Sequence, residues 1–203
     1  WIGVSDDNAV FTSIDGVLFS KDGKTLLHYP SAKLGETYIV PNGVKYLGPL
    51  SFAYNVHIET LILPEGVEGI GTIAFAMATS IRELRIPASV TEISDDAFIS
   101  MPNLEAILVD DGNEHYVSIE GVLYSVEDGD KYGLMVYPAA KTGKSFTMDS
   151  NVVSVNHYAF NYCKYLETVT LSDVEELGNS AFSSCFVLKT VNIPASVTNI
   201  GRD

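Results

Sequence analysis

The sequence predicts a repeat solenoid, built from rungs of two short strands and a short helical return, with a parallel sheet and two inserted β-hairpins. Three observations carry that reading. First, a unit of about 22 residues recurs in "NVHIETLILPEGVEGIGTIAF" (55–75), "ATSIRELRIPASVTEISDDAF" (78–98), "CKYLETVTLSDVEELGNSAF" (163–182) and "CFVLKTVNIPASVTNIG" (185–201). Second, its landmarks keep register: Phe52, Phe75 and Phe98 are evenly spaced, and Phe160 and Phe182 repeat the interval less one position. Third, a longer period overlies the first. "FTSIDGVLFS" (11–20) returns as "YVSIEGVLYS" (116–125), and "LLHYPSAK" (26–33) returns as "LMVYPAAK" (134–141). The second pair is offset slightly further than the first, by an insertion in the turn-rich "VEDGDKYG" (126–133). A unit this short cannot bury an apolar face alone and needs stacked neighbours. The chain therefore reads as one solenoid domain over 1–203, duplicated internally as about 1–105 and 106–203.

Each part of a rung has a physical reason. In "IRELRIP" (81–87), Leu84 and Ile86 are two apart and share one face of a strand, while Glu83 and Arg85 take the other. Pro87 cannot donate to a ladder and ends the strand. "SVTEI" (89–93) turns Val90 and Ile93 inward in a second extended run. Ala97-Phe98 closes the rung: the small alanine permits close approach and the phenylalanine fills the coil. Eight ladder strands follow from this pattern: Ile2–Val4, Tyr38–Val40, Leu61–Leu63, Leu84–Ile86, Ile107–Val109, Phe146–Met148, Val169–Leu171 and Val191–Ile193. They are expected to form one continuous parallel ladder, about 4.8 Å per rung.

The stretches 11–41 and 116–148 break the period. Each reads as a hairpin inserted between rungs, with "SIDGVLFS" as one arm, "KDGK" as the turn and "TLLHYP" as the other arm in the first copy. The charges beside the strands alternate in sign from rung to rung: Glu59, Arg82, Glu105 in one block and Glu167, Lys189 in the other. Neighbouring rungs are expected to pair these charges, at under about 1 kcal/mol each because they are exposed.

These residues resemble the bacterial leucine-rich repeats of the BspA type. The likeness lies in Ala-Phe-x-x-Cys, in Leu-x-x-Val-x-Ile-Pro-x-x-Val-x-x-Ile, and in Asp-Gly-Val-Leu-[Phe/Tyr] followed by Tyr-Pro, over nearly the whole chain. The resemblance implies a leucine-rich-repeat right-handed superhelix with its parallel sheet on the concave side. It also implies a secreted or surface-attached, non-enzymatic adhesion or protein-binding module of a mucosal bacterium. Its partners would be host matrix or surface proteins or glycans; the alternative is a structural spacer without a ligand. One departure from the common leucine-rich pattern stands out. Pro64, Pro87 and Pro194 follow the strands, with Asp110 and Ser172 in two other rungs, so no asparagine ladder is expected.

Composition narrows the function classes. With 12 basic and 26 acidic residues the formal charge is −14, which disfavours nucleic acid and anionic lipid. No apolar run reaches the length of a membrane-spanning helix. Cys163 and Cys185 occupy the position of Asn55, Ala78 and Met101 in other rungs. That marks a packing position, and free thiols or a cross-rung disulfide are both open. Two cysteines without a nearby histidine or carboxylate pattern do not make a zinc site. His28, His57, His115 and His157 align with Val136, Tyr165, Val10 and Pro49 in the duplicated block, so no histidine recurs. No nucleophile motif accompanies them. "SDDN" (5–8), "DDGNE" (110–114) and "EDGD" (127–130) read as capped turns rather than calcium loops. No catalytic, cofactor or metal residue is assigned.

The remaining candidate is the outward strand face: Thr60, Ile62, Glu83, Arg85, Ala106, Leu108, Thr168, Thr170, Thr190 and Asn192. Its centre is expected at Ile62, Arg85 and Leu108, on three uninterrupted rungs flanked by the hairpins as rims. The chain begins at "WIGV" and stops at "NIGRD" before another Ala-Phe, so the reading takes it as a piece of a longer repeat protein.

Overall fold

A computed structural model of the protein describes residues 1–202, and among them lie nineteen short strands and no helix. The first inserted unit is a three-stranded antiparallel meander: β1 (Phe11–Ile14), β2 (Val17–Ser20) and β3 (Thr25–His28). The arm expected as Ser13–Ser20 is split by a tight turn at Asp15-Gly16, both at positive φ (49° and 77°). That is the turn whose twist matches a hairpin. The chain then alternates between two strand columns through β4 (Thr37–Ile39), β5 (Tyr46–Leu47), β6 (Thr60–Ile62), β7 (Gly69–Ile70), β8 (Glu83–Ile86), β9 (Glu92–Ile93) and β10 (Ala106–Val109). The second inserted unit repeats the meander as β11 (Tyr116–Ile119), β12 (Val122–Val126) and β13 (Tyr132–Val136). Alternation resumes through β14 (Ser145–Thr147), β15 (Val152–Val155), β16 (Thr168–Thr170), β17 (Glu176–Leu177), β18 (Thr190–Asn192) and β19 (Asn199–Ile200).

The second column holds the inserted units. Each meander ends in a strand that pairs in parallel with the first rung after it, β3 with β5 and β13 with β15. Two six-stranded sheets result, β1-β2-β3-β5-β7-β9 and β11-β12-β13-β15-β17-β19. The insertions are thus rungs in their own right on this side, because β3 and β13 offer an edge that the next rung needs for its backbone groups.

The first column departs from the expected continuous ladder. It is parallel, but it falls into three sheets: β4-β6, β8-β10 and β14-β16-β18. Ile2–Val4 forms no strand. The Ile2 N–H bonds the Gly16 carbonyl (3.1 Å) and the Val4 N–H bonds the Ser13 hydroxyl (3.0 Å). Ile107 and Val109 repeat those bonds to Gly121 (2.9 Å) and Ser118 (3.0 Å). The β11–β12 turn therefore seals the β10 edge and separates it from β14. The expected bounds of most first-column strands also sit one residue late, Leu61–Leu63 against the observed Thr60–Ile62 for instance, while β8 and β10 end where expected, at Ile86 and Val109.

The expected short helix does not form. In most rungs the return carries a left-handed residue on each side of the phenylalanine: Leu50 and Tyr54 around Phe52, Tyr158 and Tyr162 around Phe160. A helix would direct every N–H back within its own segment. Here the N–H groups alternate. Those of Ser51, Ala53 and Asn55 close local turns to Gly48, Leu50 and Phe52, while those of Leu50, Phe52 and Tyr54 bond Thr72, Ala74 and Ala76 of the next rung. The return is a chain of turns that also stacks.

The phenylalanines stack as the spacing predicts, and tyrosines extend the stacks. Tyr29, Phe52, Phe75 and Phe98 follow one another at 5.6, 5.6 and 5.5 Å between ring centroids. Tyr137, Phe160 and Phe182 follow at 5.5 and 4.9 Å. The tyrosine of each Tyr-Pro pair takes the slot of the missing phenylalanine. Burial pushes the Tyr137 phenol up to about 12.

Candidate functional site

The strand alternation places the predicted face residues in register. Ile39 pairs with Ile62, Arg85 with Leu108, Glu83 with Ala106, and Thr168 and Thr170 with Thr190 and Asn192. Thr60, Ile62, Glu83, Arg85, Thr190 and Asn192 are exposed, while Ala106, Leu108, Thr168 and Thr170 are half-buried. The cover over β10 comes from the second hairpin: a Cβ on Gly121 would lie 2.9 Å from the Ala106 Cβ. Strand alternation alone gives no sign of that cover. Ile39, 61 % exposed, joins Ile62, 44 % exposed, as an apolar pair on adjoining strands. The "YIV" alternation could have added it to the face. Further along, β14, β16 and β18 present a strip of hydroxyls, with the Asn192 side-chain amide donating to Thr170 Oγ1 at 3.0 Å.

The expected uninterrupted run of three rungs does not exist, because β6 and β8 are not joined. At intact junctions the N–H groups just before a strand bond the preceding rung. Glu59 and Thr60 bond the Glu36 carbonyl (2.8 and 2.9 Å), and Glu105 and Ala106 bond that of Arg82 (2.7 and 3.2 Å). The far end closes likewise, Val40 N–H to Ile62 (3.0 Å) and Leu171 N–H to Asn192 (3.1 Å). The counterparts at β6/β8 would be Arg82 N–H to the Glu59 carbonyl and Leu63 N–H to the Arg85 carbonyl, and neither bond is made. A cleft of about 440 Å³ opens there, walled by Thr60, Ile62, Glu83 and Arg85. The same two rungs stay closed elsewhere. In the second column Ile70 pairs with Ile93, and in the core Phe75 stacks on Phe98.

Serines bound the opening. Ser80 Oγ donates to the Val56 carbonyl (2.7 Å) at one end. At the other, Ser89 Oγ donates to the Val67 carbonyl (2.7 Å) and accepts from Gly66 N–H (2.8 Å). The charges favour the opening as well. Arg82 pairs with Glu105 (2.6 Å) and Arg85 with Asp110 (2.5 Å), so both guanidiniums lean toward β10. The Asp110 carboxylate raises the Arg85 pKa. The expected Glu59–Arg82 pair is not formed, and among the described residues Glu59 and Glu83 have no ion-pair partner. The other block pairs as expected: Glu167 lies between Lys144 (2.8 Å) and Lys189 (2.5 Å), which hold its carboxyl down at about 2.

The remaining candidates resolve into structural parts. Cys163 and Cys185 are free thiols on adjoining rungs, the first buried and the second half-buried. The Cys185 thiol donates to the Phe160 carbonyl at 2.8 Å. Contact between the two thiols lowers the Cys185 pKa, and together with burial it raises that of Cys163. His157 Nδ1 accepts the Asn179 N–H at 2.6 Å. The acidic stretches are turns: Asn8 Oδ1 caps Val10 and Phe11, and Asn113 Oδ1 caps His115 and Tyr116. Among the described residues no group of three or more metal-ligating side chains stands together. Among the described residues no helix is long and apolar enough to cross a membrane.

A family model described as the BspA type leucine-rich repeat region matches in six copies, over residues 31–117 and 139–203. No curated protein matches the chain. Among solved structures, a leucine-rich cell surface protein from Faecalibacterium prausnitzii is 30% identical with a TM-score of 0.76, over 82% of this chain and 44% of that one. A leucine-rich repeat protein from Eubacterium ventriosum is 27% identical with a TM-score of 0.64, over 82% and 56%. The pneumococcal vaccine antigen PcpA shares the fold at 19% identity and a TM-score of 0.62, over 94% and 60%. The chain thus spans less than two thirds of each of these proteins.

Proposed function

The chain belongs to the BspA-type leucine-rich repeat family, and on that premise we propose that it is a non-enzymatic binding module of a secreted or surface-attached bacterial protein. It engages its partner through the outward strand face. The observation that carries this is the row Ile39, Ile62, Arg85, Leu108, where apolar side chains and an arginine stand at successive strand positions around an open cleft. Isolated exposed apolar residues are ordinary, but an apolar pair in register beside a cleft is a contact surface. The likeness to a cell surface protein of F. prausnitzii supports the location.

Host matrix or surface proteins are the partners that fit, with glycans as the other class of surface ligand. Affinity per rung is modest and is gained by repetition along a longer protein. The hydroxyl strip on β14, β16 and β18 fits a second role, a spacer that carries the binding rungs outward. The test is a binding screen against immobilised matrix proteins and glycans with two forms of the chain, the native one and one with Ile62→Ala, Arg85→Ala and Leu108→Ala together. Loss of binding in the triple variant at an unchanged thermal midpoint supports the strand face. Equal binding by both forms removes it, and absence of any binding favours the spacer.

A further inference from the structure

The second strand column carries a groove of its own. It runs over β5, β7 and β9, has a volume of about 610 Å³ and is walled by Tyr46, Thr72, Glu92 and Ser94. The glycines on its floor have different reasons. A Cβ on Gly48 or Gly71 would press on the preceding rung, 3.2 and 3.0 Å from the Leu26 and Leu47 carbonyl oxygens. A Cβ on Gly69 would meet the Tyr46 ring instead, 2.9 Å from Cδ1 and 3.2 Å from Cε1. Gly69 lies in ordinary strand with no positive φ. Its place is taken by Tyr46, Glu92, Ser154, Glu176 and Asn199 in other rungs. Gly69 is therefore glycine for the sake of the ring. The ring reaches from β5 over β7, and its hydroxyl donates to Glu68 Oε2 at 3.1 Å, a carboxylate that Lys45 Nζ holds at 2.7 Å. Gly69 is buried beneath it while Tyr46 stays exposed. The result is an aromatic plate laid across the sheet and held at its hydroxyl, with the rest of the ring toward solvent. Acceptors stand at its margin. Ser94 Oγ donates to Asp96 Oδ1 (2.7 Å), so in the Thr72–Ser94 contact (3.3 Å) Thr72 is the donor and keeps a lone pair for another hydroxyl. Glu92, beside Gly69 on β9, is exposed and has no ion-pair partner among the described residues.

We propose that this groove is a subsite for a neutral pyranose ring, stacked on Tyr46 and anchored through its hydroxyl groups to Glu92 and Thr72. A pyranose presents a flat patch of C–H groups whose slight positive charge suits the negative face of an aromatic ring. Its hydroxyls are donors, and a carboxylate without a cation is a strong acceptor for them. An acidic sugar would face the net charge of −14, and among the described residues no lysine or arginine lines the groove. A peptide finds no open strand edge here, since β5, β7 and β9 are paired in register. The second block keeps a groove at the matching place, about 390 Å³, but carries Ser154, Glu176 and Asn199 in that row, so it lacks the stacking surface. The subsite lies on the other strand column from Ile62, Arg85 and Leu108 and does not depend on the strand-face reading.

Nuclear magnetic resonance titration of the isotope-labelled chain with cellotetraose, maltotetraose and a β-1,4-linked galactotetraose tests this. At least one of them moves the amide signals of Gly69, Gly71, Thr72 and Glu92 with a Kd of about 1 mM, and leaves those of Gly178 and Asn199 in the second block in place. Tyr46→Ala removes the shifts, whereas Tyr46→Phe keeps the stacking face and binds within about threefold of the native chain. Glu92→Gln weakens binding about tenfold. Gly69→Ala lifts the ring and weakens it as well, without removing any group that bonds the sugar. Tyr46 and Glu92 are exposed, so their variants keep the native thermal midpoint. The Ile62/Arg85/Leu108 variant binds the saccharide as the native chain does, which separates this site from the strand face. Three results overturn the proposal: no shift with any of the three saccharides at about 20 mM, binding that survives Tyr46→Ala, or larger shifts from tetramethylammonium or a sulfated tetrasaccharide than from the neutral ones.

Discussion

Replacing Phe75 with alanine should weaken the solenoid in the middle of its first aromatic stack. The ring is fully buried and lies between Phe52 at 5.6 Å and Phe98 at 5.5 Å, nearly parallel to both. Phenylalanine-to-alanine changes in cores cost about 3–5 kcal/mol, depending on how far the site can collapse. Collapse is hindered here. The rungs on either side are held apart at their backbone spacing by Phe52 N–H to Ala74 (2.8 Å) and Phe75 N–H to Ala97 (2.9 Å). Two aromatic contacts are lost as well, each worth about 0.5–1.5 kcal/mol within that total. The expected loss is therefore about 4 kcal/mol, or about 8–16 °C in thermal midpoint for a chain of this size. In a stack whose rungs contact only their neighbours, loss of a middle joint also weakens coupling between the two sides. The urea slope should then fall with the midpoint. The assay is urea unfolding followed by far-ultraviolet circular dichroism, with Phe186→Ala as control. Phe186 is 86 % exposed, and its variant should lie within about 0.5 kcal/mol of the native chain. A Phe75→Ala loss below about 1.5 kcal/mol would refute the stacked-core account, since it would mean the rungs close over the gap.

Three further outcomes follow from particular contacts. Gly178→Ala should destabilise by about 1–3 kcal/mol, because its Cβ would run into the Asn156 carbonyl carbon and the His157 backbone nitrogen, well inside van der Waals contact. Gly3→Ala, with nothing within 4 Å, is the neutral control in the same melt. Lys144 and Lys189 depress the Glu167 pKa from 4.5 to about 2, so its contribution is fully present above about pH 4.5 and is lost as pH falls toward about 2. Glu167→Gln should flatten the stability profile across that window, and an unchanged acid slope in urea titrations would count against the triad. Cys185 should be alkylated by iodoacetamide well before Cys163, since its pKa is lowered by the facing thiol and it is the less buried of the two; equal rates by peptide mapping would contradict the packing.

The stacked phenylalanines, the parallel strands and the return of the whole block were legible in the chain itself. Each depends on local spacing: the equal intervals from Phe52 to Phe75 to Phe98 leave one stacking solution, and proline after the strand marks its end. The face residues were legible for the same reason, since strand alternation assigns Ile62 and Arg85 outward without knowledge of their neighbours. What lies between rungs was not. The left-handed residues at Leu50 and Tyr54 are ordinary side chains whose conformation is set by bonds to the next rung, so no glycine announces the turns that replace a helix. The cover on Ala106 comes from Gly121 across a hairpin. At the β6/β8 opening Arg82 turns to Glu105 rather than to Glu59. Sequence spacing offers both partners equally, and only the packed arrangement of rungs chooses between them.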